Sequence, residues 1–177
     1  MGTGAVNIAV ADAGPLIHLA EIGYLPLLSI FDILHIPDAV WSETVRQGRI
    51  PQGDVLGLDI VQRHHLSQSE VMRFAQEWGL EDLQNGEREC LCFCRQVGVS
   101  VLLTDDLAVR EAAKRLHLIP VGSLGIVVRA YRVGHISLAK AERYITDLYD
   151  VSSLFVTRAI VELAIEELHK NSGERRL

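Results

Sequence analysis

One run constrains this chain most: Val99-Ser100-Val101-Leu102-Leu103, then Thr104-Asp105-Asp106, then Leu107 onward to Leu116. The first part is almost unbroken apolar sequence, as expected of a strand buried on both faces of a parallel sheet. The last part predicts an amphipathic helix with Leu107, Ala108, Ala112 and Leu116 on its apolar positions. Two carboxylates therefore fall where a buried strand ends and a helix begins, the edge at which open α/β sheets bind ligands. Starting a helix needs one capping residue. Here three polar residues stand in a row, which leaves a cap and a site both open.

The length of 177 residues fits one domain with a proper core. With 49% apolar residues the chain is too hydrophobic to be disordered. No run approaches the roughly 20 apolar residues of a membrane span. The N-terminal stretch MGTGAVNIAVADAG has neither the basic region nor the apolar stretch of a secretion signal. The expectation is a cytoplasmic protein with no membrane partner. A net charge of −6 counts against a tight, non-specific nucleic-acid binder. It is compatible with a nuclease whose acidic cluster is neutralised by bound metal. The odd set Cys90, Cys92 and Cys94 gives no disulfide framework, and helix packing is expected of it.

Alternating strands and helices run through the chain. Ile8 to Ala11 reads as the first strand, ending at Asp12, and Pro15 sits where a following helix tolerates it. Tyr24 to Phe31 is a short helical piece and Ile33 to Ile36 a second strand. Pro37 opens a helix carrying Val40, Trp41, Glu43 and Val45. Gly48 to Gly57 reads as a loop, and Leu58 to Val61 as a third, edge strand. Ser67 with Glu70 makes a capping-box pattern ahead of Val71, Phe74 and Trp78. Asn85 is the expected cap of the next helix, with Glu87 near its second position and Leu91, Cys94 and Val97 on its buried side. Leu118 to Val121 is the last strand. Gly122 and Gly125 begin a helix to about Val133, Ser137 caps another, and Ser153 is expected to cap the final one, with Val161, Ala164, Ile165 and Leu168 as its stripe. Such alternation predicts a parallel sheet of about five strands covered on both faces, a three-layer α/β/α sandwich with extra C-terminal helices. One domain is expected over 1–177, its core about 7–136 and a C-terminal helical extension about 137–171.

Asp12 ends the first strand, Asp105 and Asp106 end the fourth, and Glu87 opens the helix leading into it. The motifs VADAGPLIHLAEIGYLPLL, IPDAVWSETV, NGEREC, LLTDDLAVREA and GSLGIVVRAYRVGHI, in that order, resemble the PIN-domain family and its prokaryotic VapC-like branch. The resemblance runs from about Ile8 to Ile136. It implies a strand order of 3-2-1-4-5 and a metal-dependent ribonuclease. It carries Asp12, Glu43 and Glu87 over as acidic site residues, and places the family's T-x-D pattern on Thr104 and Asp106, with Asp105 a second candidate. Where many relatives have Ser or Thr after the first Asp, this chain has Ala13. Its third acid is Glu87 where toxin members more often have Asp.

A cation suits such a cluster on physical grounds. Two carboxylates about 4 Å apart repel by roughly 4 kcal/mol at an effective dielectric of 20. Oxygen-only ligation favours Mg²⁺ or Mn²⁺ over zinc. Asp12 and Asp106, with Asp105 beside them, are the expected principal ligands, and Glu43 and Glu87 the groups that hold a second ion or orient water. Thr104, Arg88 and Arg110 are candidate contacts to RNA phosphates. His18, His64, His65 and His117 have no ligand spacing with the acids, and Trp41 and Trp78 read as core. The resemblance also implies a homodimer and a small antitoxin partner. The alternative from another class is a PIN-like protein- or RNA-binding module with little or no nuclease activity.

Overall fold

A computed structural model describes residues 6–174, so the termini of the expected 1–177 domain lie outside it. Five parallel strands form one sheet in the order β3-β2-β1-β4-β5. They are β1 (Ile8–Ala11), β2 (Ile33–Pro37), β3 (Val61–His64), β4 (Val101–Leu103) and β5 (Ile119–Val121). Ala9, Val10 and Ala11 of the central strand are fully buried, as are Leu102 and Leu103 beside them. Complete burial of consecutive residues requires cover on both faces, and helices supply it in a three-layer α/β/α fold. In register, Ala11 lies opposite Leu103, so β1 and β4 end side by side.

The helices are α1 (Ala13–Glu21), α2 (Asp38–Trp41), α3 (Gln52–Leu56), α4 (Gln68–Trp78), α5 (Asn85–Val97), α6 (Leu107–Arg115), α7 (Ser123–Arg132), α8 (Leu138–Asp150) and α9 (Arg158–Glu174). One face of the sheet receives α5, which packs on β1, β2 and β4 and is itself covered by α2 and α4. Elsewhere α1 meets α7, and α8 and α9 pack on α7 and on each other. Tyr24 stacks on Tyr144 at 3.6 Å and donates from its hydroxyl to Asp147, joining α8 to the body of the fold. Among the described residues no helix is long and apolar enough to cross a membrane.

Several local expectations are corrected. The third strand starts at Val61, not Leu58. Its half-exposed sequence Val-Gln-Arg-His fits an edge position, while the apolar Leu58 is buried in the loop before it. The stretch 48–57 is not all loop but holds the short α3. The segment 24–31 is a 3₁₀ turn over Leu25–Ile30. Ser67 makes no capping bond, its hydroxyl pairing with Ser69 instead. At α5 the cap is Gln84, one residue before Asn85, and Glu87 is its third residue. Asp106 caps α6 and so sets its rotation. Val109, Ala112, Ala113 and Leu116 face inward, whereas Leu107 is 76% exposed and Ala108 is exposed as well. Val97 and Trp78 are also partly exposed, at 50% and 37%. Ser153 does not cap α9, because its N–H and hydroxyl both donate to Glu21 at the end of α1. The α9 stripe buries Val161 and Leu168, and covers Ala164 and Ile165 in part.

Candidate active site

Backbone bonding carries two side chains past the strand ends. The Asp12 N–H donates to Leu103 O at 2.9 Å, and the Thr104 N–H to Val121 O at 2.9 Å. Asp12 then caps α1, its Oδ1 accepting from the Ala13 N–H at 2.8 Å. Its Oδ2 accepts from the Thr104 hydroxyl at 2.9 Å. Asp12 is 6% exposed and Thr104 not at all. The Thr104 hydroxyl, a candidate phosphate contact, donates to the Asp12 carboxylate and accepts from the Asp106 N–H at 3.3 Å.

Glu43 arrives by an irregular helix. After α2 the chain widens into a π turn over Ser42–Arg46, with Gln47 N–H bonded to Ser42 O and Arg49 N–H to Thr44 O. Such turns are rare and frequent at functional sites. The N-terminus of α5 comes close here because residue 86 is glycine. A Cβ there would lie 3.3 Å from Val40 and 3.6 Å from the Glu43 carboxylate. Glu87 belongs to a capping box, its Oε2 accepting from the Gln84 N–H at 2.8 Å. Asp106 accepts from the Val109 N–H through Oδ1 at 3.0 Å and is otherwise exposed. Among the described residues Glu43 makes no hydrogen bond, and its half-buried carboxylate is uncommitted.

These four acids act on one another. Burial pushes the Asp12 carboxyl up to about 6, against the opposing pull of its bonds to Ala13 and Thr104, and the charges of Glu87 and Glu43 push it further. Burial also raises Glu87, as do Asp106 and Glu43, while the Gln84 bond and Arg88 oppose the rise. A carboxylate that holds its proton too tightly is one that a cation would stabilise. Among the described residues, no three His, Cys, Asp or Glu side chains already form a metal cage. The donor set still fits Mg²⁺ in its chemistry. It is all oxygen and strongly anionic, and Mg²⁺ usually keeps several waters and takes only one or two protein carboxylates.

Asp105 stands apart from this group. Its Oδ1 accepts from the Ser123 N–H at 2.7 Å, and its Oδ2 from the Ser123 hydroxyl at 2.5 Å and from His18 Nδ1 at 2.8 Å. The N-cap of α7 is Gly122, which has no side chain, so Asp105 supplies the capping carboxylate from the neighbouring strand. Arg110 donates to Thr104 O at 3.2 Å. The Arg88 Nη1 rests 3.5 Å from the sulfur of Met72, and its buried Nε has no partner. Among the described residues neither arginine forms an ion pair with a site acid.

Sequence reasoning missed three features. Glu89 is 2% exposed and joins three helices. Its Oε2 accepts from the Ala39 N–H of α2 at 2.9 Å, and its Oε1 from Gln68 of α4 at 2.6 Å and from Asn85 at 3.3 Å. It thereby fixes the helix carrying Glu43 to the helix carrying Glu87. The alternation of Glu87 and Glu89 was the signal, because residues two apart on a helix face different ways. His18 and Asp105 pair across 87 positions of sequence, and no local pattern announces that. His35 Nδ1 and His64 Nε2 lie 2.7 Å apart on neighbouring strands, with burial lowering both pKa values. Cys90, Cys92 and Cys94 are buried in α5 with their thiols pushed up by burial, which leaves them inert.

A family model described as a PIN domain matches residues 8–170. No curated protein matches the chain. The chain belongs to the PIN domain family, whose members are in general nucleases that act on RNA or other nucleic acid and usually use divalent metal ions.

Proposed function

We propose that this PIN domain is a Mg²⁺- or Mn²⁺-dependent endoribonuclease whose site is Asp12, Glu43, Glu87 and Asp106. One observation carries the reading. Asp12 caps a helix at the carboxyl edge of the two central strands, and its carboxyl is pushed up to about 6 by burial and by two neighbouring glutamates. A purely structural cap gains nothing from that repulsion. Asp12 and Asp106 would hold the cation, with Glu43 and Glu87 completing the anionic wall. When bound, such a cation stabilises charge on the phosphate oxygens and makes water a better nucleophile.

The chain's own groups do the rest. Thr104 keeps the Asp12 carboxylate turned by one fixed hydrogen bond. Glu43, uncommitted, orients the attacking water, and Glu87 orients it from the first turn of α5. Arg88, one residue beyond Glu87, and Arg110, one turn beyond Asp106, contact strand phosphates. Asp105 braces α7 and His18 and is left out of the ligand set.

The VapC-like motifs support a finer reading: a toxin of a toxin–antitoxin pair, acting in the cytoplasm as a homodimer and silenced by a small antitoxin. Expression of wild type, but not of Asp12→Asn, then arrests growth.

Mn²⁺ calorimetry on wild type and on the Asp12→Asn, Asp106→Asn double variant tests the site. Binding by wild type and its loss in the variant is the expected result. No binding by wild type at millimolar Mn²⁺, with no acid-dependent cleavage of RNA, would overturn the proposal in favour of a PIN scaffold that serves as a binding module.

A further inference from the structure

A second feature of α5 leads away from the acids. Residues Arg88, Cys92 and Arg95 are spaced by four and three, so they share one face of that helix. Opposite them stands α4. Between the two helices lies an open cavity of about 340 Å³, walled by Phe74 and Trp78 and rimmed by Glu70, Arg73, Glu77 and Arg95. The Arg95 guanidinium stands 5.7 Å from the centre of the Trp78 ring, and Phe74 is tilted against the same ring at 6.4 Å. An indole left 37% exposed beside a cavity is not acting as core.

The charge around this cavity narrows what it takes. Two glutamates and two arginines leave it without net charge, so it does not suit a bare phosphate. It suits a neutral planar group with hydrogen-bonding edges, stacked on an aromatic ring. The protein as a whole carries −6, and its site is a wall of acids. Long-range attraction for a polyanion is therefore weak, and stacking, which does not depend on net charge, is the remaining source of affinity. Arg88 does not line the cavity but lies one helical turn before Cys92 on the same face of α5, next to Glu87. Its Nη1 meets only the Met72 sulfur at 3.5 Å on the exposed side, which leaves that end of the guanidinium for a phosphate between the two places. Arg95 lies seven positions beyond Arg88, about 10 Å along the helix axis.

We propose that the cavity between α4 and α5 is a base-binding subsite, in which an unpaired nucleotide of the RNA strand stacks on Trp78 while Arg88 holds a phosphate between that base and the acid cluster. This rests on the nuclease reading for its substrate class.

Intrinsic fluorescence gives a direct test. The chain has two tryptophans, and Trp41 is only 3% exposed with Arg63 stacked over it at 4.3 Å. A short mixed-sequence single-stranded RNA, titrated in EDTA to prevent cleavage, is expected to quench the exposed tryptophan saturably. The same sequence as a duplex is expected not to. Labelled-strand anisotropy should show affinity falling about 5- to 150-fold in Trp78→Ala, the range for loss of one stacked base, and largely kept in Trp78→Phe. Unchanged affinity in Trp78→Ala, equal quenching by duplex, or quenching that persists in Trp78→Phe would each overturn the subsite. The two proposals fail separately. Asp12→Asn should keep the quench and lose cleavage. Quenching without any acid-dependent cleavage would refute the nuclease and leave the subsite standing.

Discussion

Replacing Asp12 with Asn should make the protein inactive and, in the absence of metal, more stable at neutral pH. The buried carboxyl sits at about 6 in the folded chain against 3.8 as its ordinary value. An acid whose pKa rises on folding favours the folded state while protonated. Its contribution is fully present below 3.8 and is lost as the pH rises toward 6. At about 1.36 kcal/mol per pH unit the loss comes to about 3 kcal/mol above pH 6. Asparagine escapes it. Its carbonyl still accepts from the Ala13 N–H, but its amide faces the Thr104 hydroxyl and must reverse that bond, at a cost of about 1 kcal/mol. The net gain is about 2 kcal/mol, or about 4–8 °C in Tm for a chain of this size. Urea unfolding in EDTA at pH 7.5 and pH 4.5 reads it. The variant should be the more stable at pH 7.5, and its advantage should vanish at pH 4.5. Mn²⁺ should then raise the midpoint of wild type and not that of the variant. An advantage of equal size at both pH values, or none at pH 7.5, would refute the argument that a strained carboxylate marks the site.

The same carboxyl predicts how metal affinity varies with pH. Calorimetry should show Mn²⁺ affinity falling about tenfold per pH unit below 6, because the proton and the cation compete for Asp12. Affinity that is flat down to pH 5 would remove Asp12 from the ligand set. Asp105→Asn and Asp106→Asn should separate cleanly. The first should lose about 1–3 kcal/mol of stability, since its carbonyl still accepts from the Ser123 N–H but its amide cannot accept from the Ser123 hydroxyl and His18, and keep its Mn²⁺ response; the second should keep its stability and lose that response. Glu89→Ala should cost about 2–4 kcal/mol in urea unfolding by leaving Ala39, Gln68 and Asn85 without an acceptor, and Glu89→Gln clearly less. Gly122→Ala would place a Cβ 2.8 Å from Asp105 Oδ1 and 3.2 Å from Arg110 Nη1. It should cost about 1–3 kcal/mol as measured by Tm.

The fold was largely legible because burial leaves a periodic trace. Four of the five strands lie within a residue or two of their expected places, as they are short apolar runs ended by polar residues. The edge strand was displaced because an edge is only half-covered. Val61–His64 has no apolar run, while Leu58, outside any strand, is buried. Helix rotation failed at α6 for a related reason. Periodicity offers several frames, and the Asp106 cap selects the one in which Leu107 is thrown outward.

The candidate site was legible only down to residue type. Asp105 and Asp106 are adjacent, of one residue type and follow the same strand, so only the family's T-x-D pattern ranked Asp106 ahead of Asp105. Their separation comes from Gly122, 16 residues further on. With no side chain of its own, Gly122 leaves α7 uncapped, and Asp105 is drawn to Ser123 while Asp106 turns the other way to start α6. Glu87 and Glu89 divide in the same manner. One caps α5 at the edge where Asp12 sits, and the other points inward and ties α2 to α5. In both pairs the carboxylate spent entirely on backbone and side-chain donors is the structural one. On the proposed reading, the other of each pair is the one a cation would engage. That division depends on which hydrogen-bond donors each carboxylate meets, and for Asp105 and Glu89 most of them come from residues 18 to 87 positions away.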